Sequence, residues 1–194
     1  MEEKINTSEL AGHCTELAAW QVLKEVSEIL LQKGLQPVGP HCIEISDDGH
    51  FMLVSNAALA SHNGFDAPEV AEGQLAESSV VWSLGASLFF IGMGHQVMNG
   101  KGGKGQRGSS KLPYMRSEWP ELSELVQQCL QFIPARRPTL QQVHDKAAQH
   151  YQHCIDEIRK GPKYKTSVNT SQTETNHAGQ DLAFWPETMR KPNV

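Results

Sequence analysis

The stretch from Ala76 to Gly92, AESSVVWSLGASLFFIG, constrains the fold more than any other part of the chain. Its apolar residues run nearly all the way round a helix. A helix without a polar face has to be enclosed by other elements, so the pattern predicts a buried central helix with a domain built about it. The run is not a membrane span. From Val80 to Met93 it is broken by Ser83, Gly85, Ser87 and Gly92, and it falls short of the roughly 20 apolar residues that cross a bilayer. The chain has 194 residues, enough to bury roughly 70% of its unfolded surface.

Three more helices and one hairpin supply the enclosure. Thr15 to Lys33 reads as a helix with Leu17, Trp20, Leu23, Ile29, Leu30 and Leu31 largely on one face, closed by Gly34. Ile43–Ile45 and Phe51–Val54 flank the turn Ser46-Asp47-Asp48-Gly49, a small β-hairpin. A loop leads on to Phe65. Residues 94–111, GHQVMNGKGGKGQRGSSK, read as a flexible glycine- and lysine-rich loop. A third helix is expected over about Glu121 to Phe132. The fourth runs from Pro138, in its first turn, to about Lys160, with the stripe Leu140, Val143, Ala147, Tyr151, Cys154 and Ile158. The chain thus divides into an N-terminal segment (1–14), a domain (15–160) and a polar tail (161–194) expected to be disordered. The fold class is mainly α with a small β-hairpin.

Composition narrows the function. With 39% hydrophobic and 20% charged residues, net charge −5 and scattered lysines and arginines, nothing points to nucleic acid. The acidic, polar start MEEKINTSEL has neither the basic nor the apolar region of a signal peptide. Cys14, Cys42, Cys129 and Cys154 lie far apart with no CxxC, the pattern of reduced thiols in a cytoplasmic protein.

Four landmarks in order carry a resemblance. They are the hairpin ending Asp48-Gly49-His50-Phe51-Met52-Leu53, then Ala67-Pro68-Glu69, then Val81-Trp82-Ser83-Leu84-Gly85, and finally Cys129-Leu130 followed by Pro134-Ala135-Arg136-Arg137-Pro138-Thr139. Together they resemble the C-terminal lobe of a protein kinase, over about Thr15 to Lys160. Ala67-Pro68-Glu69 matches the APE motif, and the resemblance implies a buried ion pair between Glu69 and Arg137. Two parallel bonds from a guanidinium to a carboxylate suit that role.

The same resemblance implies that the catalytic groups are missing. Phosphoryl transfer needs a base, metal-binding oxygens and a cation on the phosphates. The place of the catalytic aspartate falls on Pro37, and that of the metal-binding asparagine on Cys42, a poor ligand for magnesium. The catalytic-loop lysine falls on Gly39, and the DFG triplet on Ser55-Asn56-Ala57. The aspartate expected early in the central helix is Val80. No glycine-rich strand and no VAIK-type lysine precede the first helix, so the ATP-binding lobe is expected to be absent. No catalytic, cofactor-binding or metal-binding residue is assigned, and no cofactor is expected.

Other patterns have plainer readings. Gly103-Lys104-Gly105-Gln106-Arg107-Gly108 fits GxGxxG, but it follows a helix instead of joining a strand to one, so phosphate binding does not follow. His150, His153 and Cys154 read as a packed thiol beside solvent histidines, with a metal site as the alternative. Lys101, Lys104, Arg107, Lys111 and Arg116 form a basic strip that could attract an acidic partner, or a solvated loop. In the tail, Phe184 and Trp185 within Leu182-Ala183-Phe184-Trp185-Pro186 are candidates for docking on this domain or on a partner.

The family most similar is the kinase non-catalytic C-lobe domain (KIND), and Ser8-Glu9-Leu10 with Ala19-Trp20-Gln21-Val22-Leu23 is loosely similar to its start. A divergent pseudokinase fragment would look alike. The resemblance implies a cytoplasmic interaction domain or scaffold that binds a protein or peptide, with no nucleic acid and no membrane. Two other functions stay open: a divergent or split kinase-like enzyme using Asp47, Asp48 or Asp66, and a regulatory subunit of a true kinase.

Overall fold

The computed structural model describes residues 5–54, 64–72, 75–108, 111–112 and 114–161. Ser55 and the tail, with Phe184 and Trp185, lie outside the described residues. The domain is mainly helical with a small antiparallel sheet. Its elements are β1 (Ile5–Asn6), α1 (Glu16–Lys33), β2 (Ile43–Ile45), β3 (Phe51–Leu53), α2 (Glu77–Met93), α3 (Pro120–Cys129) and α4 (Leu140–Arg159), joined in places by 3-10 turns.

Helix α1 starts and stops where its sequence asks. The Thr15 hydroxyl accepts the Ala18 N–H at 3.2 Å, and Gly34 closes the last turn at φ 98° with its N–H on the Leu30 carbonyl, 3.1 Å. The buried face differs from the expected one. Val22, Leu23, Val26 and Leu30 are buried, whereas Leu31 is 42% exposed, because Leu31 falls about 100° round the helix from Leu30.

The sheet has three strands in the order β1-β2-β3, not the two of a hairpin. Ile43 pairs with Leu53 and Ile45 with Phe51, as the DDG turn requires; on the other edge Ile5 pairs with Ile45. Asn6 and Thr7 fix that edge by donating to the carbonyls of His41 (2.8 Å) and Pro40 (2.6 Å). Residues of the N-terminal segment therefore belong to the same compact unit as the rest of the described chain. A carboxylate holds the hairpin onto α1: Glu25 accepts the Phe51 N–H at 2.7 Å and meets the His50 ring at 2.9 Å.

Helix α2 is the central helix its composition predicts. Every residue from Ser79 to Phe89 is buried. A side chain at Gly85 would begin 2.7 Å from the Cys129 Cβ, so glycine there lets α2 and α3 approach closely. Helix α3 ends at Cys129, short of Phe132, and Phe132 and Ile133 are 39% and 44% exposed. Helix α4 begins after Pro138, not with it. Thr139 is the cap and Gln142 completes a reciprocal capping box, so the proline lies outside the helix. The stripe on α4 is buried at Leu140, Val143 and Ala147, half-buried at Tyr151 and Cys154, and exposed at Ile158. Among the described residues no helix is long and apolar enough to cross a membrane.

Candidate interaction surface

The firmest joint in the domain ties the segment before α2 to the turn before α4. Arg137 has five N–H donors, and all find acceptors. Nη1 reaches Glu69 Oε1 (2.5 Å) and the Ser78 carbonyl (2.9 Å). Nη2 reaches Glu69 Oε2 (2.9 Å) and the Phe132 carbonyl (3.1 Å), and Nε reaches the Gln131 carbonyl (2.7 Å). The Arg137 side chain is fully enclosed, while that of Glu69 keeps 27% exposure. The pair expected from the sequence is thus present, with a carboxylate that still meets water. Close by, Glu77 accepts the Leu140 N–H at 2.6 Å, tying the first turn of α2 to that of α4.

The glycine-rich segment after α2 is packed, not a flexible loop. It forms 3-10 turns over Val97–Gly100 and Gly102–Gly105, with Gly102, Gly103 and Gln106 buried. The Gly103 N–H donates to the Asp66 carbonyl at 2.9 Å. A Cβ on Gly103 would sit 2.3 Å from the Pro68 nitrogen, and one on Gly102 would sit 2.6 Å from the Gly64 carbonyl carbon. These glycines let two backbones touch, which is the physical reason for a pattern that imitates a phosphate loop. Gln106 reaches further in. Its carbonyl accepts the Trp82 indole N–H (3.0 Å), and its amide donates to the Leu130 carbonyl (2.6 Å).

This packing presents Lys101 and Lys104 together. Both are exposed, and with Gly64, Asp66 and Gly100 they line an open pocket of about 280 Å³. Arg107 is exposed but does not line it. Arg116 does not belong to the basic strip. It donates to the carbonyls of Gly12 (2.6 Å) and Gly92 (3.3 Å) and stacks over the Trp119 ring at 4.9 Å, so its role is structural.

The positions that the resemblance matches to catalytic groups lie apart from this pocket. Pro37 is exposed on the connection after α1. Cys42 is buried, and burial pushes its thiol up. Val80 is enclosed in α2. Asp48 accepts a hydrogen bond from the Ser46 hydroxyl within the hairpin turn, the work of a turn residue. The four cysteines are free thiols, and burial raises Cys14 and Cys129 to about 12. His150 is not a solvent histidine: its ring lies flat on Trp20, with centroids 4.4 Å apart. Among the described residues no cluster of three His, Cys, Asp or Glu side chains could hold a metal ion.

Fold and surface define a mainly helical domain with a small three-stranded antiparallel sheet and a lysine-lined pocket. No protein-family model matches the chain. No curated protein matches it either.

Proposed function

We propose that this chain is a non-catalytic protein-interaction domain with a protein-kinase C-lobe-like fold. The observation that carries the reading is the bidentate Glu69–Arg137 pair. It joins the Ala67-Pro68-Glu69 segment to the Arg136-Arg137-Pro138 turn, two of the four landmarks of the resemblance, across 68 residues of chain. The side chains at the matched catalytic positions support loss of chemistry. Pro37 cannot accept a proton, Val80 offers no oxygen, and Cys42 presents a buried thiol where magnesium requires hard oxygen ligands. The pocket with Lys101 and Lys104 offers a cationic surface to a protein or peptide partner.

The test is thermal unfolding with and without magnesium-ATP at millimolar concentration. A ligand at about a hundredfold its dissociation constant adds roughly 2.7 kcal/mol, several degrees for a domain of this size. The expected result is an unchanged midpoint. A clear upward shift would reveal a nucleotide site and overturn the reading in favour of an enzyme.

A further inference from the structure

The adjacent arginines before α4 have opposite tasks. Arg137 turns inward, and its donors are committed to Glu69 and three carbonyls. Arg136 is exposed and enters none of the ion pairs found among the described residues. It borders an open groove of about 380 Å³ between α3 and α4, lined also by Leu125, Gln128, Pro138, Gln142 and Lys146, with Arg137 in its wall. Gln142 and Lys146 are four residues apart and share a face of α4. Lys146 likewise has no carboxylate partner among the described residues.

The neighbouring acidic groups are engaged elsewhere. Glu124 accepts the Gln128 amide at 3.1 Å, and Asp145 accepts the Gln141 amide at 2.8 Å and meets the His144 ring at 3.2 Å. The Gln142 carbonyl oxygen takes the Thr139 N–H at 2.9 Å, which leaves its NH₂ group to donate. The groove therefore gathers two unpaired cations and an amide donor above the apolar Leu125, in a chain of net charge −5.

We propose that this groove is a docking site for an acidic side chain of a partner peptide. Arg136 forks two of its anionic oxygens, Lys146 supplies the second charge, and Leu125 borders the apolar neighbour of the acidic residue. The chemistry is shared by a carboxylate and a phosphorylated side chain. The proposal rests on the interaction-domain reading and names the partner's chemistry.

The experiment titrates the full chain, isotopically labelled, with three synthetic peptides. One carries a leucine flanked by glutamates, one replaces the glutamates by phosphoserine, and one replaces them by lysine. Saturable backbone shifts centred on Gln128, Arg136, Gln142 and Lys146 are expected for the acidic peptides and not for the lysine peptide. The tighter of the two acidic peptides identifies the source of the anion. Arg136→Gln and Lys146→Gln should each weaken binding about fivefold, the scale of one solvent-facing ion pair, and raised salt should weaken it further. Lys101→Gln with Lys104→Gln should leave it unchanged. Absence of saturable shifts, or shifts confined to Lys101 and Lys104, would overturn the proposal, and the wild-type map does so without any variant. A midpoint shift with magnesium-ATP would sink the functional reading while leaving a mapped groove standing, so the two failures are distinguishable.

Discussion

The indole N–H of Trp82 donates to the side-chain carbonyl of Gln106 across 3.0 Å in the core, and the Gln106 amide passes the contact on to the Leu130 carbonyl. One polar side chain from the glycine-rich segment thus links α2 to the end of α3. Replacing it should strand both partners. An unsatisfied buried donor or acceptor costs about 1–3 kcal/mol, so Gln106→Leu is expected to lower the thermal midpoint by several degrees. An unchanged midpoint would mean that the segment is not held as described.

Glu69→Ala removes the carboxylate and leaves the enclosed Arg137 with two donors unfilled. Losing one partner of a buried pair costs about 3–5 kcal/mol. The lower end applies here, because the Glu69 side chain keeps 27% exposure. The midpoint in a thermal melt should fall by roughly 6–12 °C on a scale of about 2–4 °C per kcal/mol. Glu69→Gln should fall between the alanine variant and the wild type, since one amide oxygen can still accept.

His50 gives the domain a pH-dependent component. Its hydrogen bond to Glu25, reinforced by that charge, raises the imidazole above the ordinary histidine range of about 6.5. A folded-state value above the unfolded one means that the contribution is fully present below the unfolded value and is lost as pH rises through the folded value. The midpoint difference between wild type and His50→Gln should therefore be larger at pH 5.5 than at pH 8.5. A difference independent of pH would show that the ring does not titrate against Glu25.

Two alanine substitutions separate packing from ligand binding in the GxGxxG segment. At Gly103 a Cβ would meet backbone atoms of Ala67 and Pro68 at 2.4 and 2.3 Å. Gly103→Ala should destabilise the domain strongly, because backbone cannot step aside. At Gly108 the nearest contact is the Phe132 ring at 3.6 Å, ordinary packing, so Gly108→Ala should melt within about a degree of wild type. Equal tolerance at both sites would overturn the packing explanation.

Local signals carried much of this fold. The uniform apolarity of Ser79 to Phe89 placed α2 at the centre, Thr15 and Gly34 bounded α1, and the DDG turn fixed the hairpin register. These are interactions within a few residues of one another, so the chain displays them directly. The Glu69–Arg137 pair was legible only through the resemblance, since nothing local joins residues 68 apart.

Tertiary structure decided the rest. The strand Ile5–Asn6 is too short to show a period and exists because β2 offers it an edge. The glycines at 102 and 103 look like a flexible loop in sequence, yet their missing side chains let that segment rest on residues 64–68. Arg136 and Arg137 are chemically identical neighbours. Which one is enclosed with Glu69 and which one faces the α3–α4 groove depends on the path of the turn between the helices, and packing alone sets that path.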